Sequence, residues 1–372
     1  MRRYPGSSRS GRAARRRAPR GAALITALLV VSLSAMLVSG ILWREQVQVR
    51  RVENQRLHAQ ALWIARAAVD WTRRVLRSEA ETSAGVTWLG GAWSMPIAKT
   101  RFSDFFGQIG EARAEDGADT WLSGSIEDAQ ARFNVRNLVS ASATGTLQLN
   151  LSQIEAFARL LQTLGINGQL AKNTAVYLRS ALAYSATRFQ MPAAAANGAS
   201  QPQVVAGGGS TGGGAYTDNP GLADADTNSA VAPLQMTSLD SFLDVPGFTP
   251  EIVARLRPFV TILPTPTAVN MNTASAEVIA AIVPEMNLSG AQALVARRQS
   301  VFFRNVADVQ LALQGAGAAQ TTVDTTLCDV NTSYFLVHGR VQHGRAVVNR
   351  TTLVWRDPLT HSTSIVRVRD EP

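Results

Sequence analysis

One stretch governs what this chain can fold into. The run Arg15-Arg16-Arg17-Ala18-Pro19-Arg20-Gly21 is followed by about 22 residues without a charge, Ala22 to Trp43, and then by Arg44. As a helix rising ~1.5 Å per residue, the apolar segment is ~33 Å long, enough to span a bilayer hydrocarbon core. Eight arginines and no acidic residue lie within 1–21. Such a cluster stays on the cytoplasmic side, so the residues that follow face the opposite compartment. The net charge of +9 falls to +1 once those eight arginines are set aside. The basic character is therefore a topology signal, not the footprint of a nucleic-acid-binding surface.

The apolar segment admits three fates. A secretory signal peptide is cut at a small-x-small site after an apolar region of ~7–15 residues. This segment is longer and lacks a clear Ala-x-Ala site, although Ser32, Ser34, Ala35, Ser39 and Gly40 are small. An uncut single-pass anchor is the second fate. In the third, the cut falls before the segment, between Gly21 and Ala22. A basic leader ending in Gly, followed at once by an uncut hydrophobic helix, resembles the N-terminus of type IV prepilins and pseudopilins. The resemblance implies that a prepilin peptidase removes 1–21 after Gly21 and that the new N-terminus, Ala22, is methylated. It also implies a helix used twice, first as an anchor and then as filament core. Most members carry Glu at the fifth mature position, where Thr26 stands here. Losing that carboxylate removes a costly charge from an apolar helix, together with the partner of a neighbouring subunit's N-terminal amine. The branch that lacks the Glu is the general secretion pathway protein K family, and this chain resembles it.

The remainder of the chain fits that resemblance. From 44 to 84 apolar residues recur at spacings of three and four (Val52, Leu57, Ala61, Leu62, Ala65, Ala68, Val69, Leu76) with Arg, Glu and Gln between them. No Pro or Gly interrupts 42–84, so one helix of about 55–60 residues is expected. Residues 85–138 are expected to form the first part of a sheet. Within them Trp121–Leu138 reads as a strand–turn–strand unit, its Asn and Asp serving turn backbone groups. It contains Asp128, Gln130, Arg132, Phe133, Asn134, Asn137 and Leu138, which resemble the D-x-Q-x-R-F-N-x-N-x-L segment of protein K. Residues 139–316 read as an inserted helical domain. Two helices are expected within 149–184, with Gly165 as a C-terminal cap. A glycine- and alanine-rich stretch at 192–220 is expected to lack order. Two related helix–turn–helix units lie within 236–310, around Pro246-Gly247 and Pro284. Residues 317–372 alternate apolar and polar, with glycine turns expected at Gly339 and Gly344. The expected class is α+β: a pseudopilin fold, in which a long N-terminal membrane-spanning helix packs on an antiparallel sheet, with a large helical domain inserted between strands.

Candidate chemistry is sparse. The helix–turn–helix units resemble modules that grip DNA phosphates through amides exposed by a Gly-x-Gly hairpin. Neither Val245-Pro246-Gly247-Phe248 nor Glu285-Met286-Asn287-Leu288-Ser289 carries both glycines, so no nucleic-acid partner is expected. Asp224, Asp226 and Asn228 have the alternate-oxygen spacing of calcium loops, and Asp218 lies nearby. The loop lacks a sixth-position Gly and a twelfth-position acid, having Ser229 and Gln235 there. A weakened calcium site and a solvated turn both fit. The protein K resemblance implies calcium in this region, but much of the ligand set it implies is missing here. The four histidines are scattered, and no catalytic spacing occurs. The single cysteine, Cys328, reads as a small buried hydrophobe, and no internal disulfide is possible. An enzyme is therefore not expected.

The resemblance implies a minor pseudopilin at the tip of a type II secretion pseudopilus, which starts assembly for protein export across the outer membrane. The implied location is the bacterial inner membrane, single-pass, with a cytoplasmic N-terminus and a periplasmic C-terminal domain. The implied partners are other minor pseudopilins, the major pseudopilin, the prepilin peptidase and the inner-membrane assembly platform. A second reading is a membrane-anchored helix-hairpin-helix DNA-binding protein of a competence-type pilus.

Overall fold

The computed structural model describes residues 20–107, 120–141, 147–189, 216–217, 233–316 and 323–371. The chain divides into two compact units, 1–59 and 60–372. One helix, α1 (Arg20–Thr82), begins in the first and ends in the second. It is long and apolar enough to cross a membrane. Within 24–43 every large apolar side chain, from Leu24 to Trp43, is more than half exposed. The helix stops where Ala84 and Gly85 turn to positive φ (52° and 84°), a conformation glycine adopts without steric cost.

In the second unit the sheet has five antiparallel strands in chain order: β1 (Ile97–Arg101), β2 (Thr120–Asp128), β3 (Tyr334–His343), β4 (Ala346–Arg356) and β5 (Thr363–Glu371). Strand alternation sends Phe335, Val337, Val341, Val348 and Val354 to one face. There they pack with Ala61, Ala65, Val69 and Leu76 of α1 and with Trp93. These contacts stabilise through area removed from water, ~25 cal/mol per Å². Gly344 turns β3 into β4 at φ 56°. Gly339, expected in a turn, lies inside β3 and pairs with Gly124 of β2. A Cβ on Gly124 would sit 2.5 Å from the His338 carbonyl oxygen, so close backbone approach, not chain reversal, accounts for this pair.

β2 and β3 are neighbours in space although residues 129–333 separate them in sequence. That excursion carries most helices: α2 (Leu151–Thr163), α3 (Leu170–Phe189), α4 (Pro250–Leu256), α5 (Ala276–Ile282), α6 (Leu288–Ser300) and α7 (Val306–Gly315). Their shared core is the largest among the described residues, and Phe133, Phe157, Phe242 and Phe248 form a chain of ring contacts through it. Asn150 caps α2 through Gln153 N, Asn287 caps α6 through Gly290 N, and Asn305 caps α7 through Asp308 N. Gly165 (φ 69°) closes α2: its amide bonds Gln162 O and the Ile166 amide bonds Leu161 O, a Schellman arrangement.

The two related units have the same turn. Leu239–Asp244, a short 3₁₀ helix, and α5 each run into Val-Pro-x, with Gly247 (φ 96°) and Glu285 (φ 63°) in the third place. Thr249 and Asn287 then cap α4 and α6. Tyr216 and Thr217, within the glycine-rich stretch, pair with Asn150 and Leu149; the rest of 192–220 lies outside the described residues.

Candidate functional site: the buried junction at Asp128

The Trp121–Leu138 segment is not a strand–turn–strand hairpin. β2 ends at Asp128, and two 3₁₀ turns follow, Ala129–Ala131 and Val135–Leu138. Between them Phe133 and Asn134 pair in parallel with Val260 and Thr261. The segment abandons the sheet because its side chains occupy the positions that backbone groups would otherwise fill. Asn134 donates to Thr265 O at 2.8 Å and accepts from Arg136 N and Leu263 N at 3.1 and 3.2 Å. Asn137 donates to Thr267 O at 2.7 Å and accepts from Thr267 N at 2.9 Å. Gln130 donates to Ala268 O at 3.0 Å and accepts from Ser333 N at 2.6 Å. Each amide thus stands in for a missing strand neighbour, pairing backbone groups that no adjacent strand reaches.

Asp128 is the centre of this junction. Its side chain is buried at the end of β2. Oδ1 accepts from Gln130 N at 2.7 Å. Oδ2 accepts from Asn270 Nδ2 at 2.9 Å and from the hydroxyls of Thr273 and Thr332, both at 2.6 Å. Short donors on an ionised oxygen are the strong kind of hydrogen bond. Burial raises the Asp128 pKa above the ordinary carboxylate value, and the four donors pull it part of the way back. Asn270 Nδ2 also reaches Thr87 O at 3.0 Å. Arg356 bonds Thr87 Oγ1 at 2.8 Å, Thr332 O at 2.9 Å and Leu76 O at 3.1 Å. Its guanidinium lies 4.8 Å from the centre of the Phe335 ring. Burial lowers the Arg356 pKa, and the charge of Asp128 raises it again. Side chains from the approach to α5 and from Thr332 before β3 therefore meet at the Asp128 carboxylate, and Asn270 and Thr332 link it on to Thr87 and Arg356.

The Asn-x-Asn-Thr-Ala sequence at 270–274 supplies the other half. Asn270 Oδ1 accepts from Asn272 N at 2.9 Å, and Val269–Asn270 pair in parallel with Cys328–Asp329. Asn272 grips Phe303 at both ends, Nδ2 to its carbonyl and Oδ1 from its amide, each at 2.8 Å. Arg298 donates to Met271 O at 2.7 Å. On β2's opposite side Glu127 meets Arg132 at 2.6 Å. There His338 and Arg132 hold Glu127 below the usual carboxylate range. Two adjacent carboxylates thus shift in opposite directions because the pleat turns one inward and the other outward.

The remaining expected site residues fall elsewhere. Gly21 and Ala22 are consecutive residues of α1's first turn. The Thr26 hydroxyl donates to Ala23 O at 3.0 Å. Asp218, Asp224, Asp226 and Asn228, the proposed calcium ligands, lie outside the described residues. Among the described residues no group of three or more His, Cys, Asp or Glu converges as a metal site would require. Cys328 is buried, and desolvation, aided by Asp324 and Asp329, pushes its pKa up to about 12, so it is not a reactive thiolate. The amides that a DNA-gripping hairpin would expose are occupied: Ile252 N bonds Thr249 Oγ1 and Gly290 N bonds Asn287 Oδ1. A Cβ on Gly290 would meet Ala316 O at 2.7 Å, so this helix start is also closely packed. Sequence reasoning missed Thr87, Thr332 and Arg356. No local spacing marks them, because 204 residues separate Thr332 from Asp128.

Comparison with known proteins gives a consistent result. Two family models, both described as type II secretion system (T2SS), protein K, match residues 131–265 and 269–331. Together they span more than half of the chain, and both parts of the junction lie in or beside them. Type II secretion system protein K of Pseudomonas aeruginosa is 29% identical over 340 residues, covering 88% of this chain and 86% of that one. The protein of the same name from Pectobacterium carotovorum subsp. carotovorum is 24% identical over 341 residues, covering 90% and 92%. A chain in the crystal structure of the GspK-GspI-GspJ complex from the type 2 secretion system of enterotoxigenic Escherichia coli aligns with a TM-score of 0.59 at 15% identity. It covers 87% of this chain and 99% of that chain, a likeness of fold.

Proposed function

Because this chain belongs to the type II secretion system protein K family, as a minor pseudopilin of that system, we propose that it stands at the tip of the pseudopilus and starts its assembly. The observation that carries this reading is Thr26. At the position where the pilin superfamily has a carboxylate, this chain has a hydroxyl bonded within its own helix to Ala23 O. A subunit with none above it has no incoming N-terminal amine to neutralise, so an uncharged residue costs nothing there and avoids a charge in lipid. The helices inserted between β2 and β3 add bulk that is hard to stack within a filament and tolerable at its end. The chain acts by assembly, not catalysis.

On this reading prepilin peptidase cuts between Gly21 and Ala22, Ala22 is methylated, and residues 22–43 hold the protein in the inner membrane. The N-terminus is cytoplasmic and the remainder periplasmic. The fold neighbour from enterotoxigenic Escherichia coli sits in a complex of GspK, GspI and GspJ, which supports other minor pseudopilins as partners. The major pseudopilin and the assembly platform follow as neighbours. N-terminal sequencing of protein purified from membranes tests the first step: a methylated Ala22 start is expected, and an intact Met1 or a start near Ser39 overturns it. Thr26→Glu tests the tip. Secretion is expected to stay equal or fall, and an improvement contradicts the tip position.

A further inference from the structure

The two edges of the sheet differ. β1 is only five residues long, and a very short edge strand offers little for another segment to pair with. β5 is nine residues long, and every residue from Ser364 to Glu371 is exposed. Its pairing with β4 slips once: Val354 faces Ile365 and Leu353 faces Arg367, so Val366 bulges out of register. A bulge re-aims a side chain, and Val366 joins the wall of a cavity of about 210 Å³ beside the edge.

That cavity lies where the inserted helices approach the sheet. Its apolar walls include Leu178 and Leu182 of α3, Met236, and Leu353 of β4. It also has two guanidinium groups, Arg136 on the wall and Arg367 at the exposed edge strand. Arg136 donates to Val139 O at 2.6 Å, and Arg367 donates to Thr237 O. Both contacts are to neutral carbonyls. Among the described residues neither arginine has a carboxylate partner, whereas neighbouring Arg369 and Arg257 both face Asp240. Burial lowers the Arg136 pKa, the usual cost of withdrawing a guanidinium from water without a counter-charge.

We propose that the β5 edge and this cavity form a docking site for an extended segment of a neighbouring pseudopilin, one with a carboxylate next to an apolar residue. Strand addition supplies main-chain hydrogen bonds that any extended segment can make, and the flanking pocket supplies selectivity. Charge complementarity picks the occupant: the apolar residue enters between Leu182 and Met236, and the carboxylate reaches the two arginines, for which a bidentate acid is the natural partner. This site deepens the assembly role proposed above and rests on it.

The test uses the full chain in detergent, titrated with the purified other minor pseudopilins of the same secretion system. Arg367→Glu is exposed enough to leave folding intact, and Arg136→Gln keeps a donor for Val139 O. Each is expected to weaken binding about ten-fold or more, with the wild-type affinity falling as salt is raised. Unchanged affinity in both variants overturns the docking site and leaves the tip assignment standing. Unchanged affinity with a lowered Tm leaves the arginines only an internal role, through their bonds to Val139 O and Thr237 O, and also overturns it. A wild-type chain that binds none of the other minor pseudopilins removes both readings.

Discussion

The Asp128 junction and the apolar half of α1 are built by opposite chemistry. At the junction the polar atoms are held by specific partners, several of them shared, and those partners come from separate parts of the sequence. In residues 24–43 the large side chains are all exposed and share one property, apolarity. The first region depends on the identity of each residue. The second depends on length, hydropathy and a few special positions. A directional network loses its energy when one member goes, whereas a solvent-facing apolar surface loses it only in proportion to area.

The largest way to break this contrast is Asp128→Ala set against Leu33→Ala. The first leaves the Asn270 amide and the Thr273 and Thr332 hydroxyls facing an empty place. It is expected to cost about 3 kcal/mol or more, since each buried donor left without a partner costs about 1–3 kcal/mol. Leu33 is 55% exposed, and its truncation is expected to stay within about 0.5 kcal/mol. Urea unfolding of the full chain in detergent checks both, and equal costs would erase the distinction. Asn272→Ala comes next, at about 1–3 kcal/mol, since both backbone groups of Phe303 lose their partners.

pH sharpens the comparison within the junction. Asp128 titrates above its ordinary value of 3.8 when folded. Between that value and the raised one, the folded chain keeps a proton that the unfolded chain has lost. Stability from this group is therefore fully present below the ordinary value and is lost as pH rises through the raised one. Glu127 is lowered and works the opposite way, losing its contribution as pH falls. Comparing wild type with Asp128→Asn isolates the buried group: wild type should gain relative to the variant as pH drops from 7 toward 4. A flat or inverted difference in unfolding midpoints would refute the assignment.

The smallest expected effect concerns the two related turns. Glu285 occupies the left-handed position that Gly247 fills in the sister unit. Glu285→Gly should stabilise by about 1 kcal/mol, because a side chain in that region is strained. A loss of stability, read as a lowered urea midpoint, would mean that the Glu285 side chain contributes more than its backbone strain costs.

Much of the fold is legible in residue order. The 3.6-residue periodicity from Ala61 to Leu76 marks the face of α1 that the sheet covers. Gly165 marks the end of α2, and Val-Pro-x marks both related turns, because caps and turns are local chemistry. Gly339 misleads for an equally local reason: glycine also serves close strand approach, and only the pairing with Gly124 distinguishes that from a turn. The hairpin expected at Trp121–Leu138 does not form because Asn134, Asn137 and Gln130 can replace strand neighbours, which spacing alone does not reveal.

What the sequence by itself determined is whatever depends on neighbours along the chain: an apolar helix of membrane length behind an arginine-rich stretch, an amphipathic continuation, alternating terminal strands and capped helices. What only the tertiary structure decided is the convergence on Asp128. Thr87, Asn270, Thr332 and Arg356 are ordinary polar residues in one dimension. They become a network because β2 and β3 close across residues 129–333, shutting water out and leaving each donor only the partner that the fold brings to it.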